Sequence, residues 1–367
     1  MTAVACLLLA PATFACGYYL VLTAVGWRRP VAPTPGRRPR VTVVIPAHNE
    51  EHTLAAAVES VGRCDYPAAR VLVVADNCTD GTAAAARRLG ADVLERHDPA
   101  NRGKGFALAA GIPAALADGC DAVLVLDADC SLEPSALRHL AAALAGAEAV
   151  QAAVVPQNPA VLPAGLVAAV GSELENGVAA GRSALGLATT LRGTGMLFTA
   201  GLLQRLPWSG FGLTEDAEYT ARLRAAGVRV VFVPAAVVRT EVPPTGAALC
   251  TQRRRWRAAL TSGGAGRLDR LLASKPLVLA HLLATVGLVG LLTPWLPLWV
   301  GAWAGGLLLL TGATYLRAMG RCGGLVSPTA VVKAGGLAIE LAGVTLAGLV
   351  RPTAAWERTP RAAEVGA

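Results

Sequence analysis

The most constraining feature of the sequence is residues 123–129, where four apolar residues lead into Asp127-Ala128-Asp129. Side chains alternate between the two faces of a strand, so an apolar run of this length predicts a strand buried on both faces. The carboxylates then lie where that strand leaves the sheet. Mg²⁺ and Mn²⁺ prefer oxygen ligands and often combine one or two carboxylates with phosphate oxygens of a substrate, so the pair is a candidate metal site. Alone it is weak evidence, because such pairs are also common in solvated loops and helix caps.

The chain before this stretch alternates between strand and helix patterns. Residues 41–46 and 71–75 predict buried strands, residues 93–94 a short one, and helical segments follow each of them. Strands alternating with helices predict an α/β fold with a mostly parallel sheet and helices on both faces. Ligands of such sheets bind beyond the carboxyl ends of the strands.

Two polar groups stand near these predicted strand ends. Asp76 follows a buried strand, which has no structural need for a carboxylate, so we interpret it as a hydrogen-bond acceptor for a base or ribose. Lys104 lies in Asn101-Arg102-Gly103-Lys104-Gly105, where cations and glycines precede a helix and favour a diphosphate contact. The spacing is not that of a Walker loop, so ATP hydrolysis is not indicated.

Three later motifs each allow a structural and a functional reading. Gly193-Thr194-Gly195 is either a close approach of the backbone to a substrate or an ordinary turn. Glu215 and Asp216 open a helix, where acids also simply complement the helix dipole, and that reading is strong for Glu215. The segment from Gln252 to Trp256 has the composition of a basic belt beside a membrane.

Long apolar segments at both ends of the chain predict membrane helices. Residues 3–25 are uncharged and long enough to cross a bilayer, and the basic residues that follow favour an anchor over a cleaved signal peptide. Residues 276–292 and 297–316 predict a membrane hairpin. Residues 326–350 contain charges and predict either a third span or an interfacial helix.

The net charge indicates which kinds of ligand the chain binds, and the cysteine spacing indicates whether it holds zinc or disulfides. The formal net charge is +8, and much of the excess lies beside the apolar segments, so anionic lipid and substrate phosphate explain it better than nucleic acid. The 8 cysteines show no Cys-x-x-Cys spacing, which argues against a zinc site, and a cytosolic setting argues against a disulfide framework.

Taken together, the motifs resemble those of a membrane-embedded family-2 glycosyltransferase, the branch that includes cellulose, chitin and hyaluronan synthases and ceramide glucosyltransferase. The resemblance covers roughly residues 41–262. It rests on the order of the motifs, which are Val-Ile-Pro-Ala-His-Asn-Glu at 44–50, Asp76, Asp127-Ala128-Asp129, Thr214-Glu215-Asp216 and Gln252-Arg253-Arg254-Arg255-Trp256. It implies a GT-A type fold with transmembrane helices at both ends.

The resemblance also implies roles for single residues. Asp216 would be the catalytic base, and Asp129 would hold Mg²⁺ or Mn²⁺ on the donor diphosphate. The remaining donor contacts would be Asp76, Lys104, Asp127 and Arg255. The acceptor side would comprise Gly193, Thr194, Gly195, Glu215, Gln252 and Trp256.

The function implied is an inverting transfer of a sugar from a nucleotide-sugar donor, with a UDP-sugar favoured, to a glycan or lipid-linked acceptor. The setting would be the cytosolic face of the inner membrane, with further membrane helices from a second copy or a partner as an option. A catalytically silent scaffold or transport partner with the same fold is the alternative. The predicted domains are an anchor (1–27), a linker (28–40), the catalytic domain (41–244), an interfacial segment (245–275), a membrane region (276–350) and a cytosolic tail (351–367).

Overall fold

The computed structural model describes residues 2–28, 38–66, 69–157, 163–242, 245–252, 285–287, 289–290 and 293–322, with a few positions between 328 and 340. It divides into two compact units. One comprises Arg28–Gln157 and Arg182–Glu241, and the other comprises Met1–Trp27, Asn158–Gly181 and Val242–Ala367. The first unit carries the sheet.

The sheet has 8 strands in the described part of the chain. In chain order they are β1 (Val41–Ala47), β2 (Ala69–Asp76), β3 (Asp92–Arg96), β4 (Ala122–Val125), β5 (Cys130–Leu132), β6 (Ala149–Pro156), β7 (Met196–Thr199) and β8 (Val230–Thr240). Across the sheet the order is β3-β2-β1-β4-β7-β6-β8-β5. The four strands predicted from residues 41 to 126 are therefore confirmed as one continuous half of the sheet.

The sheet as a whole is mixed: most of its strand pairings are parallel, as expected, and an antiparallel part that was not predicted completes it. Strands β3, β2, β1 and β4 are parallel, and β6 is parallel to β8, but β4–β7, β6–β7 and β5–β8 are antiparallel. The reason lies in the turn before β7. The Gly195 amide donates to the carbonyl of Val125 at the carboxyl end of β4, so β7 starts beside that end and must run the opposite way.

Helices cover both faces of the sheet, as expected. They are α2 (Leu54–Gly62), α3 (Thr82–Arg88), α4 (Lys104–Ala117), α5 (Ala136–Ala143), α7 (Ala200–Arg205) and α8 (Glu215–Ala225). Neighbouring strand residues pack into different cores, because strand side chains alternate between faces. Val43 packs with helices α2 and α5, whereas Val44 packs with α4, α7 and α8.

The second unit contains α1 (Thr2–Gly26), most of α6 (Pro163–Ala184), a 3₁₀ turn (Thr293–Trp295) and α9 (Leu298–Arg321). Helices α1 and α9 are long and apolar enough to cross a membrane by length and composition. Helix α1 touches α6 through glycines: a Cβ on Gly181 would lie 2.0 Å from the carbonyl oxygen of Leu22.

Several expectations fall outside the described residues. The first arm of the predicted hairpin at 276–292 is described only at 285–287 and 289–290, and 326–350 only at scattered positions. Most of the linker and the whole tail from residue 351 also lie outside.

The packing of α4 on the sheet gives a test with an internal control. A Cβ on Gly111 would lie 2.5 Å from Val74 Cγ2 and 2.9 Å from Val44 Cγ1, whereas a Cβ on Gly62 in α2 would meet nothing within 4 Å. Gly111→Ala should lower the free energy of unfolding by about 1–3 kcal/mol through overpacking. Gly62→Ala should raise the free energy of unfolding by about 0.5–1 kcal/mol, because alanine lowers the conformational entropy of the unfolded chain. Denaturant unfolding checks both, and equal shifts would contradict this packing.

Candidate active site

The carboxyl ends of the parallel strands and the start of two helices meet in one unit. Asp76 ends β2, Asp127 follows β4, Lys104 opens α4, and Glu215 and Asp216 open α8. Because parallel strands end at a common edge, residues far apart in sequence are brought to one place. The sequence predicted this convergence for Asp76 and Asp127.

Lys104 is surrounded by carboxylates. Its Nζ lies 2.6 Å from Asp127 Oδ1 and 3.3 Å from Glu215 Oε1. It also donates to the carbonyl oxygen of Gly193 at 2.9 Å. Burial alone would lower the pKa of this lysine, but Asp127 and Glu215 raise it above its usual value, so the amine is charged. Lys104 therefore joins the end of β4 to the start of α8.

Asp216 is a carboxyl group whose pKa is raised to about 7. Desolvation by burial is the main cause, and the adjacent Glu215 adds to it, while Lys104 opposes both. One oxygen, Oδ1, accepts from the amide of Ala217 at 2.8 Å. The other, Oδ2, would lie 3.8 Å from a Cβ placed on Gly193. A group with this pKa can exchange a proton near neutral pH.

The pair of aspartates after β4 forms the candidate metal centre. Ligand atoms of Asp127, Asp129 and Cys130 all lie within 4.8 Å of one another. Burial, followed by the charges of Asp129 and Asp127, raises the pKa of the Cys130 thiol, and Sγ donates to Asp129 Oδ1 at 3.6 Å. The two carboxylates are thus the oxygen donors that a hard divalent ion prefers.

Asp76 lies in a second polar cluster. Asp76 is only 4% exposed. Its Oδ1 accepts a hydrogen bond from Arg96 Nη1 at 2.5 Å and another from Asn77 Nδ2 at 3.0 Å. Arg96 also donates to Asp98 and lies over the ring of Phe106 at 5.8 Å. Sequence reasoning missed Arg96. The available signal was a cation just beyond the third predicted strand, since β3 pairs in parallel with β2 and places Arg96 opposite Asp76.

The glycine turn before β7 adjoins the carboxylate cluster. Gly193 and Gly195 have positive φ of 79° and 66°, which favours glycine. Thr194 is buried, and its hydroxyl accepts from the amide of Asp127 at 3.1 Å. The sequence did not single out Gln151 in β6, although a lone amide in an apolar strand was a signal; its Nε2 donates to the Thr194 carbonyl at 2.8 Å.

The remaining predicted site residues are not joined to this cluster by the described structure. Gln252 lies in the helical segment 246–252 of the other unit. Arg255 and Trp256 lie outside the described residues. Their roles stay predictions.

A model of a protein family, described as glycosyltransferase like family 2, matches residues 39–259. The chain is 29% identical over 234 residues to the probable glycosyltransferase YdaM of Bacillus subtilis (strain 168), covering 59% of this chain and 54% of that protein. It is 29% identical over 235 residues to a beta-monoglucosyldiacylglycerol synthase of Nostoc sp. (strain PCC 7120 / SAG 25.82 / UTEX 2576), covering 60% and 49%. The chain thus matches about half the length of these curated relatives.

The fold has a counterpart among solved structures. The mannosyltransferase PcManGT from Pyrobaculum calidifontis, in complex with GDP-Man and Mn²⁺, aligns with a TM-score of 0.60 and 23% identity over 96% of this chain and 98% of that one. At this level of identity the likeness shows the fold, a GT-A-like mixed α/β sheet.

The raised pKa of Asp216 predicts a pH-dependent effect of Asp216→Asn on stability. The folded pKa, about 7, exceeds the ordinary 3.8, so the stabilising protonated form is lost as the pH rises toward 7. In EDTA, the variant should melt about 5 °C or more above wild type at pH 8, and less so at pH 5. Scanning fluorimetry measures this difference, with Asp118→Asn at a half-exposed carboxylate as control. A difference independent of pH would contradict the assignment.

Proposed function

Because the chain belongs to glycosyltransferase family 2 and is an enzyme of that family, we propose that it is an inverting transferase that moves a sugar from a nucleotide-sugar donor to a glycan or lipid-linked acceptor. The observation that carries the proposal is the cluster around Lys104. This lysine forms ion pairs with both Asp127, which follows β4, and Glu215, at the start of α8. Donor binding and proton removal need groups at these two places.

The donor half of the proposal uses the strand ends. Asp76, held by Arg96, accepts a hydrogen bond from the base, with a UDP-sugar as the favoured donor. Asp127 and Lys104 contact the nucleotide sugar, and Asp129 would hold Mg²⁺ or Mn²⁺ on its diphosphate. The ion, when bound, offsets negative charge on the diphosphate. Arg255 stabilises the same leaving group by the family resemblance.

The acceptor half of the proposal is centred on Asp216. Its carboxylate takes the proton of the acceptor hydroxyl as the hydroxyl oxygen bonds to the anomeric carbon. The bond from that carbon to the diphosphate oxygen breaks in the same step, so the configuration inverts. A pKa near 7 suits a base at neutral pH, because enough of it is ionised and it still binds the proton. The acceptor itself is bound by Gly193, Thr194, Gly195, Glu215, Gln252 and Trp256.

We place the enzyme at the cytosolic face of the inner membrane as a multi-pass protein. Helices α1 and α9 have the length and composition of spans. Aromatic and basic residues lie at one end of each helix. The guanidinium carbon of Arg317 lies 5.2 Å from the centre of the Trp27 ring, and that of Arg321 lies 5.7 Å from it. Such residues favour the interface and the cytosolic side. A curated relative is a synthase of a glucosyl lipid, which supports a lipid among the acceptors.

A donor panel tests the activity. Full-length protein in nanodiscs with Mn²⁺ should release UDP or GDP from one member of a panel of UDP- and GDP-sugars. Asp216→Asn should lower turnover about 100- to 10,000-fold while donor binding persists, because only the base is lost. Asp118→Asn is the control. Absence of turnover by wild type with every donor and a membrane-lipid extract would favour the silent scaffold, and equal turnover by Asp216→Asn would refute the base.

Metal removal tests the role of Asp129. Calorimetric titration of wild type with UDP and GDP should show affinity about tenfold or more tighter with Mn²⁺ than with EDTA, a gain of about 1.4 kcal/mol. Asp129→Asn should bind the nucleotide equally with and without the ion, because the carboxylate assigned to the ion is replaced by a neutral amide. A preserved Mn²⁺ dependence in the variant would reject Asp129 as the metal ligand.

A further inference from the structure

Gln151 is a buried amide whose hydrogen bonds all go to backbone groups. The residue lies in β6 and is 0% exposed. Its Oε1 accepts from the amide of Arg192 at 2.9 Å, and its Nε2 donates to the carbonyls of Thr194 at 2.8 Å and of Ala152 at 2.9 Å. Since a buried amide is costly unless satisfied, this side chain must hold the 192–194 turn in one conformation.

Thr220 holds the same segment from the other side. It lies in α8, is 6% exposed, and its hydroxyl accepts from the amide of Leu191 at 3.0 Å. The same hydroxyl donates to the carbonyl of Asp216 at 2.7 Å. One buried hydroxyl thus ties the chain entering the turn to the backbone of the proposed base.

The turn held in this way contacts both Lys104 and the residue after β4, Asp127. The Gly193 carbonyl accepts from Lys104, and the Thr194 hydroxyl accepts from the amide of Asp127. A Cβ on Gly195 would lie 2.7 Å from Val238 Cγ2 and 2.8 Å from the Cβ of Ala152, so the turn has no room to move toward the sheet. A shift of this segment would displace Lys104 and Asp127 together.

We propose that Gln151 and Thr220 are positioning residues that fix the 191–195 turn against Asp216. The proposal rests on the proposed function and extends it to two residues with no direct contact to the reactants. The turn then offers the acceptor its backbone and Gly193 at a fixed distance from the base. A misplacement of about 1 Å at such a site costs about 100-fold in rate.

Kinetics of matched variants separates positioning from general stability. With the donor that turns over in the panel, Gln151→Leu and Thr220→Val should lower kcat about 100-fold and change the donor KM less than about threefold. Thr220→Ser keeps the hydroxyl and should recover most of the rate. Tyr66→Phe removes a buried side-chain bond to the Pro39 carbonyl elsewhere in the same unit and should act like wild type. Rates for Gln151→Leu and Thr220→Val equal to that of Tyr66→Phe would overturn the proposal.

Hydrogen exchange of the full chain tests whether Gln151 fixes the turn, and it does so even if the wild type shows no turnover. Absence of turnover would count against the proposed function but not against the positioning role. Gln151→Leu should speed exchange at least about tenfold in peptides covering 191–196 and Asp127, because the amides of Arg192 and Asp127 lose support. Tyr66→Phe should leave those peptides unchanged. If these peptides exchange in Gln151→Leu at the same rate as in the wild type, the proposal is overturned.

Discussion

The site depends on one partly buried cation shared by groups from distant parts of the chain. Lys104 binds Asp127 after β4, Glu215 at the start of α8, and the Gly193 carbonyl in the turn before β7. Without the lysine, the carboxylates there would repel one another in a poorly solvated place. With it, the three carboxyl groups of Asp127, Glu215 and Asp216 share a single cation. These acidic groups favour a divalent cation at Asp129, while burial, followed by the charge of Glu215, raises the pKa of Asp216 to about 7.

In the proposed reaction, the donor and the acceptor bind on opposite sides of Lys104. On one side, the ends of β2 and β4 present Asp76 and Asp127 to the donor. On the other, α8 presents Asp216 to the acceptor. A single lysine in contact with both sides makes their geometry interdependent. The polar side chains behind the turn, Gln151 and Thr220, supply the rigidity that such a shared contact requires.

Much of the parallel half of the sheet could be predicted from sequence, because its strands are continuous apolar runs ending in polar residues. The residues from 41 to 126 carry that signal strongly. The antiparallel part could not be predicted, since the direction of β7 depends on a hydrogen bond from Gly195 to Val125. Among site residues, Asp76 and Asp127 were recognisable as strand ends. For Arg96 and Gln151 the sequence carried a signal, but their partners, like those of Thr220, follow from register and tertiary contacts.

The proposed reaction is a single displacement with Asp216 as the base, and the anomeric configuration of the product tests it most directly. Proton NMR of the glycoside formed from an α-linked nucleotide sugar, recorded early in the reaction, reads the configuration from the coupling of the anomeric proton. A single displacement gives a β-linked product from the first turnover. An α-linked product would require a second displacement or another mechanism, and would contradict the role assigned to Asp216.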